Sequence, residues 1–90
     1  MASTEGERGH REPSSPSEKV VARIFAEVLN ITSPSASESF FSLGGNSLTA
    51  AKVIARVSKE CGVRLPLNVL FSSPSVSALA AQVDQKALTP

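Results

Sequence analysis

The sequence predicts a small all-α protein, a four-helix bundle with a very short third helix and a long loop between the first two helices. Three segments carry apolar residues at the spacing of three and four that places them on one helix face. Serine, proline or glycine bounds these segments. Ninety residues allow one domain with a modest core. We predict a disordered tail over residues 1–14, a folded domain over residues 15–86 and a frayed end over residues 87–90.

The first helix is predicted to run from Pro16 to about Leu29. Ser15 can accept a hydrogen bond from the first turn and Glu18 can reach back, which is a capping-box pattern. Pro16 suits the first helical position, where its missing N–H is not needed. The apolar stripe of this helix predicts its core face: Val20, Val21, Ile24, Phe25, Val28 and Leu29.

Residues 30–46 form a long connection that is rich in serine and ends with a glycine pair and Asn46. Loops of this length without regular structure are uncommon in compact domains and are often functional. Phe40, Phe41 and Leu43 predict that the second half of this loop packs on the core. The glycines permit backbone angles closed to other residues and let another protein approach closely.

The second helix is predicted from about Ser47 to Cys61, ended by Gly62. One arc of this helix is apolar and predicts the core face: Ala50, Val53, Ile54, Val57 and Cys61. The opposite arc is predicted to be solvated: Thr49, Lys52, Arg56, Lys59 and Glu60. A third arc is mildly apolar and small in side chain: Ser47, Leu48, Ala51, Ala55 and Ser58. This third arc is explained either by a docking surface or by a satellite core under the long loop.

The last third of the chain predicts two more helices after an extended linker over residues 63–67. Residues 68–71 are expected to form one short helical turn. Ser73 and Pro74 repeat the cap-then-proline start and predict a fourth helix that ends near Gln85. The apolar residues of this fourth helix are Val76, Leu79, Ala80 and Val83.

Composition excludes several classes of function. A net charge of +1 and the lack of tryptophan and tyrosine argue against nucleic-acid binding. The apolar runs are too short to span a membrane, and no signal peptide is evident, so we expect a cytoplasmic location. Cys61 is the single cysteine, which excludes an internal disulfide and most structural zinc sites. The single histidine, His10, lies in the tail, so the folded part lacks a Ser/His or Cys/His catalytic pair.

Ser47 differs from the other serines because it follows a glycine pair and begins a helix. Asn46, or Ser47 itself, can cap that helix. The partial positive charge of a helix start favours an anion, so a phosphate ester on Ser47 would lie in that field near unpaired backbone N–H groups. The alternative is an ordinary helix cap after a glycine-rich turn.

Residues 38–48, with the sequence ESFFSLGGNSL, match the pattern Asp/Glu-x-Phe-Phe-x-Leu-Gly-Gly-x-Ser-Leu. This pattern resembles the phosphopantetheine-attachment signature of carrier proteins, and the resemblance extends over about residues 16–84. The Gly-Gly-x-Ser form is similar to the peptidyl carrier proteins of non-ribosomal peptide synthesis. Fatty-acid acyl carriers usually have Asp before the serine and an acidic second helix. Asn46 and the basic second helix therefore favour the peptidyl class.

The resemblance implies that a phosphopantetheinyl transferase attaches the 4′-phosphopantetheine arm of coenzyme A to Ser47. The thiol of the arm, not Cys61, would hold an aminoacyl or peptidyl group as a thioester. An adenylation enzyme would load this group, and condensation or tailoring enzymes would receive it, in the biosynthesis of peptide antibiotics and other secondary metabolites. The chain itself would be a non-catalytic, metal-free monomer, and its short length and polar tail suit a free-standing type II carrier.

The resemblance also gives the third arc of the second helix a use as a docking surface. The predicted partner contacts are Leu48, Ala51, Ala55, Val69 and Leu70. Two other functions stay open at this point. The chain could be an acyl carrier of polyketide or fatty-acid-type synthesis, or an unmodified helical interaction domain that binds a partner without any use of Ser47.

Overall fold

The computed structural model describes residues 12–32 and 34–88. It contains four helices, α1 (Pro16–Leu29), α2 (Ser47–Cys61), α3 (Val69–Ser72) and α4 (Val76–Leu88). The predicted all-α four-helix class is confirmed. Most of the predicted tail, residues 1–11, lies outside the described residues. Within the described ranges, no helix is long and apolar enough to cross a membrane.

Helix α1 has the bounds that its capping signals predict. The Ser15 hydroxyl accepts a hydrogen bond from the Glu18 backbone N–H at 3.1 Å, and the Glu18 carboxylate accepts one from the Ser14 N–H at 2.9 Å. The helix ends where Asn30 adopts a left-handed conformation with φ 59° and donates its N–H to the Ala26 carbonyl. Local sequence therefore fixes both ends of α1.

The core lies where α1 packs against both α2 and α4. Its fully buried members include residues predicted for α1, α2 and α4, such as Val21, Val53 and Val76, and two from the long loop, Ala36 and Phe40. Four other residues predicted for the core faces are only partly buried against it: Val20, Val28, Leu29 and Cys61. The Phe40 ring meets the Phe25 ring edge-to-face, with centroids 5.1 Å apart. Phe41 and Leu43 are partly buried against this core. The prediction that the second half of the loop packs on the core is confirmed.

Two backbone hydrogen bonds join the long loop to the start of α4. The Phe40 N–H donates to the Pro74 carbonyl at 2.7 Å, and the Ser77 N–H donates to the Ala36 carbonyl at 2.9 Å. The loop therefore has fixed neighbours on both sides of residues 37–39. These bonds fix the position of the segment that leads into α2 relative to the start of α4.

Gly45 is required by the packing of Phe40. A Cβ atom at position 45 would overlap three atoms of the Phe40 ring. The Gly45 N–H also donates to the Phe40 carbonyl at 3.1 Å, which keeps the two residues together. Gly44 has a different role, since its φ of 104° lies in the region that favours glycine. The glycine pair thus combines one steric and one conformational requirement.

The start of α4 differs from the prediction. The cap is Ser75, whose hydroxyl accepts from the Ala78 N–H at 3.1 Å, and not Ser73 followed by Pro74. Pro74 lies outside the helix because its carbonyl is bound to the loop at Phe40. The helix also continues to Leu88, beyond the predicted end near Gln85.

Arg56 and Glu60 were predicted to be solvated, but they join α2 to α1. Arg56 contacts Glu27 at 2.5 Å and Glu60 at 3.3 Å, and Arg23 pairs with Glu60 and lies 3.7 Å from Glu27. The four side chains remain partly exposed, so this network orients the two helices more than it stabilises them. The helical wheel of α2 could not show this link between the helices, because Arg23 and Glu27 belong to α1.

Replacing Gly45 by alanine should destabilise the fold. The new methyl group must displace the buried Phe40 ring, and we expect the free energy of unfolding to fall by about 1–3 kcal/mol. Urea unfolding followed by far-ultraviolet circular dichroism measures this change. Glu38→Ala, at an exposed position of the same loop, is the matched control and should leave stability near that of the wild type. Equal stability of Gly45→Ala and the control would show that the ring does not occupy this space.

Acid should weaken the contact between α1 and α2. Hydrogen bonds from Arg23 and then Arg56 hold the pKa of Glu60 below its ordinary value of 4.5. The stabilisation is therefore complete above pH 4.5 and is lost as the pH falls through the lower pKa of the folded state. Glu60→Gln should make the free energy of unfolding less dependent on pH between about pH 5 and pH 3. An unchanged slope in Glu60→Gln, measured beside the exposed-site control Glu38→Gln, would contradict this expectation.

Candidate functional site

Ser47 is the first residue of α2, as predicted, and its side chain is exposed. The Ser47 hydroxyl forms no hydrogen bond within the described part of the chain. A hydroxyl at the surface with no internal partner is open to reaction with an outside group. The structure therefore leaves Ser47 available for attachment, whereas an ordinary capping serine would have its oxygen engaged with backbone N–H groups.

Asn46, and not Ser47, caps α2. The Asn46 side-chain oxygen accepts hydrogen bonds from the backbone N–H groups of Leu48 and Thr49, both at 3.0 Å. In return, the Thr49 hydroxyl oxygen accepts from the Asn46 backbone N–H at 2.9 Å. We call this reciprocal pair the Asn46–Thr49 box. The ordinary-cap alternative for Ser47 is thereby removed.

The box corrects the expectation of several unpaired N–H groups beside Ser47. Asn46 takes the N–H groups of Leu48 and Thr49, and its backbone carbonyl accepts from Ala50 at 2.8 Å. In the first turn of α2, the Ser47 N–H is left without a hydrogen bond among the described residues. Sequence reasoning assigned Thr49 to the solvated arc and missed its part in the cap, although the Asn-x-x-Thr spacing signals it.

Upstream of the box, a compact turn ties Ser47 to the core. The Phe40 carbonyl accepts from the N–H groups of both Leu43 and Gly45, at 3.2 and 3.1 Å. The aromatic series then runs outward, since Phe40 meets Phe41 edge-to-face and Phe41 stacks on Phe71 at 5.3 Å. Phe71 ends this series at the surface, where half of its side chain, 51 %, is exposed.

The third arc of α2 lies on the surface. Leu48 is 70 % exposed, and Ala51 and Ala55 are exposed as well. The satellite-core alternative for these three residues is therefore wrong. Ser58, further along the arc, is different because its hydroxyl oxygen is buried without a hydrogen-bond partner.

The two partner contacts predicted in α3, Val69 and Leu70, are less exposed than those predicted in α2. Leu70 is fully buried and packs in the core, so its prediction as a partner-contacting side chain is wrong. The reason is that α3 is a single turn, in which the one side chain that anchors the helix must point inward. Val69 is partly buried against the core and retains some exposed surface.

Cys61 has the surroundings of a packing residue. Its side chain is partly buried, and burial, followed by the nearby carboxylates of Glu60 and Asp84, raises the pKa of the thiol. A protonated thiol is a poor nucleophile. The described residues also contain no cluster of His, Cys, Asp and Glu side chains suited to a metal ion. Among the residues of the predicted site, reactivity is therefore confined to the Ser47 hydroxyl.

Sequence comparison matches residues 19–83 to the family model described as phosphopantetheine attachment site. The chain is 46 % identical over 76 residues to phosphinothricin tripeptide synthetase PhsC of Streptomyces viridochromogenes, covering 83 % of this chain and 7 % of that protein. It is 40 % identical over 74 residues to a dimodular nonribosomal peptide synthase of Bacillus subtilis, covering 82 % of this chain and 3 % of that protein. The chain thus spans a small fraction of the length of these relatives.

Solved structures with the same fold include peptidyl carrier proteins. The solution structure of an active-site mutant peptidyl carrier protein superposes with a TM-score of 0.84 at 34 % identity, covering 90 % of each chain. A peptidyl carrier protein in complex with the phosphopantetheine transferase Sfp and coenzyme A gives 0.81 at 37 % identity, covering 84 % of this chain and 99 % of that one. The chain belongs to the phosphopantetheine attachment-site family, as a carrier domain of the peptidyl type found in nonribosomal peptide synthetases.

Proposed function

We propose that Ser47 carries the phosphopantetheine arm and that the domain presents aminoacyl or peptidyl groups on it. The observation that carries this proposal is the exposed Ser47 hydroxyl without an internal hydrogen bond, at the start of α2. It occupies the serine position of the attachment signature over residues 38–48. The bound arm supplies a flexible thiol that holds an acyl group as a thioester.

In this proposal the chain contributes the nucleophile and a surface, and other enzymes contribute the catalysis. The Ser47 oxygen forms a bond to the phosphorus next to the pantetheine unit of coenzyme A. The bond from that phosphorus to the bridging oxygen of the diphosphate breaks, and the bridging oxygen leaves as part of adenosine bisphosphate. The proton of Ser47 passes to a base that the transferase supplies, because no side chain in the described part of this chain forms a hydrogen bond with the Ser47 hydroxyl. The Cys61 thiol stays outside this chemistry because burial keeps it protonated.

The partners that we assign to the domain are a phosphopantetheinyl transferase, an adenylation enzyme and condensation or tailoring enzymes. Support comes from carrier proteins of similar fold. One is bound to the transferase Sfp. Another belongs to the McyG adenylation–carrier structure with phenylalanyl-adenylate, at a TM-score of 0.81 and 31 % identity, over 89 % of this chain and 13 % of that one.

We assign docking of these partners to the exposed part of the third arc, formed by Leu48, Ala51 and Ala55, with a smaller contribution from Val69. Leu48 is the anchor of this surface because a large apolar side chain that is 70 % exposed gains most from burial in a complex. The two alanines allow a partner to approach the helix closely. All three residues lie on the face that begins at Ser47.

Incubation with coenzyme A and the transferase Sfp should raise the mass of the protein by one phosphopantetheine unit, about 340 Da. Ser47→Ala should abolish the gain because it removes the nucleophile. Ser42→Ala, at an exposed serine of the preceding loop, is the matched control and should be modified like the wild type. Intact-protein mass spectrometry reads all three. Unmodified wild type refutes the proposal and favours the unmodified interaction domain. Modification that survives Ser47→Ala refutes the assignment of the arm to Ser47.

Substitutions on the docking surface should weaken partner binding without weakening the fold. Ala55→Gln places a longer polar side chain on the surface, and we expect the KM of Sfp for the carrier to rise about fivefold or more. Ala81→Gln makes the same change at an exposed position of α4 and should leave KM unchanged. Thermal unfolding of both variants should match the wild type. Equal KM values for the two variants would place docking elsewhere.

A further inference from the structure

We propose that the Asn46–Thr49 box positions the Ser47 hydroxyl for phosphopantetheinyl transfer, with Thr49 as a positioning residue. This inference rests on the proposed function of Ser47. It assigns to a residue of the first turn a part in the reaction that goes beyond holding the helix end. Three features of the structure support it.

The first feature is that nothing holds the Ser47 side chain directly. Its hydroxyl forms no hydrogen bond in the part of the chain that the structure describes, so its backbone sets where the side chain starts and only rotation about χ1 moves the oxygen from there. That backbone follows an abrupt change, from extended angles at Asn46, φ −146° and ψ −175°, to helical angles at Ser47. Any shift in the backbone angles of Asn46 or Ser47 therefore moves the nucleophilic oxygen.

The second feature is that the hydrogen bonds of the box hold the backbone on both sides of Ser47. The Asn46 side chain reaches forward over Ser47 to two N–H groups, and the Thr49 hydroxyl reaches back to the Asn46 N–H. The Thr49 hydroxyl also donates to the Asn46 carbonyl at 3.1 Å. Ser47 is therefore enclosed in a ring of hydrogen bonds whose two ends are one residue before it and two residues after it.

The third feature concerns the incoming diphosphate of coenzyme A. Because the box and the Ala50 bond occupy three N–H groups of the first turn, the helix offers one unpaired N–H, that of Ser47 itself. Phosphate oxygens can then meet the helix end in fewer orientations, and the one free donor belongs to the same residue as the nucleophile. Opening the box would free further backbone N–H groups, and the diphosphate could then bind in several orientations.

The test compares Thr49→Val, which keeps the branched shape and removes the hydroxyl, with Thr49→Ser, which keeps the hydroxyl. Each is assayed with Sfp and coenzyme A for kcat and for the KM of the carrier, well below its unfolding temperature. We expect Thr49→Val to lower kcat about fivefold to tenfold with little change in KM, because binding survives and orientation is lost. Thr49→Ser should restore most of kcat. Asn46→Ala, which breaks the same box from its other side, should give the same pattern.

The matched control is Ser15→Ala, which removes a similar side-chain cap at the start of α1, far along the chain from Ser47. It should lower the unfolding temperature as Thr49→Val does and leave kcat unchanged. A wild-type kcat in Thr49→Val, or an equal loss of kcat in Ser15→Ala, overturns the inference while the proposed function stands. A wild type that Sfp does not modify overturns both.

Discussion

The burial of the Phe40 ring is the contact on which the geometry of the site depends. The ring packs against Phe25 of α1, and the backbone N–H of Phe40 donates to the carbonyl of Pro74, two residues before α4. Its carbonyl closes the turn through Gly45, and the ring leaves no room for a side chain there. One loop residue thus connects the hydrophobic core to the segment that ends at Ser47. A surface hydroxyl in so small a domain can have a definite place because its loop is fixed by core packing and not only by local turns.

One face of helix α2 packs in the core, and another face is left exposed for the docking that we propose. Val53 and Val57 are fully buried on one side, whereas Leu48, Ala51 and Ala55 are exposed on another. Full burial of a leucine side chain contributes about 1.5–3 kcal/mol, so leaving Leu48 at the surface forgoes a stabilisation that the fold could have used. A complex can recover that free energy when a partner covers the side chain. The exposed arc can therefore change with the partner while the buried arc keeps the fold.

How far the sequence predicts this protein depends on whether the deciding contact is local. The bounds of α1 and α2 were predicted because Ser15, Asn46 and Gly62 make their capping contacts within a few residues. The start of α4 was predicted wrongly, because the carbonyl of Pro74 accepts a hydrogen bond from Phe40 of the long loop, which is distant in sequence. Burial of Leu70 was missed for a related reason, since a single turn has too few residues to show a periodic pattern. The part of Thr49 in the cap could have been predicted from its spacing from Asn46.

The charge that α2 presents to a partner follows from tertiary pairing and cannot be counted from the sequence. Arg56 appears in the sequence as one of three basic residues on this helix, but it pairs with Glu27 across the contact with α1 and with Glu60 of α2 itself. Its field is largely cancelled at short range. Lys52 and Lys59 are exposed and form no ion pair in the described ranges, so they supply the positive potential of this face. Exposed charges more than about 10 Å apart are largely screened at physiological salt. Electrostatic steering by α2 is therefore weak, and the docking that we propose rests chiefly on the shape of the helix and on the apolar contact at Leu48.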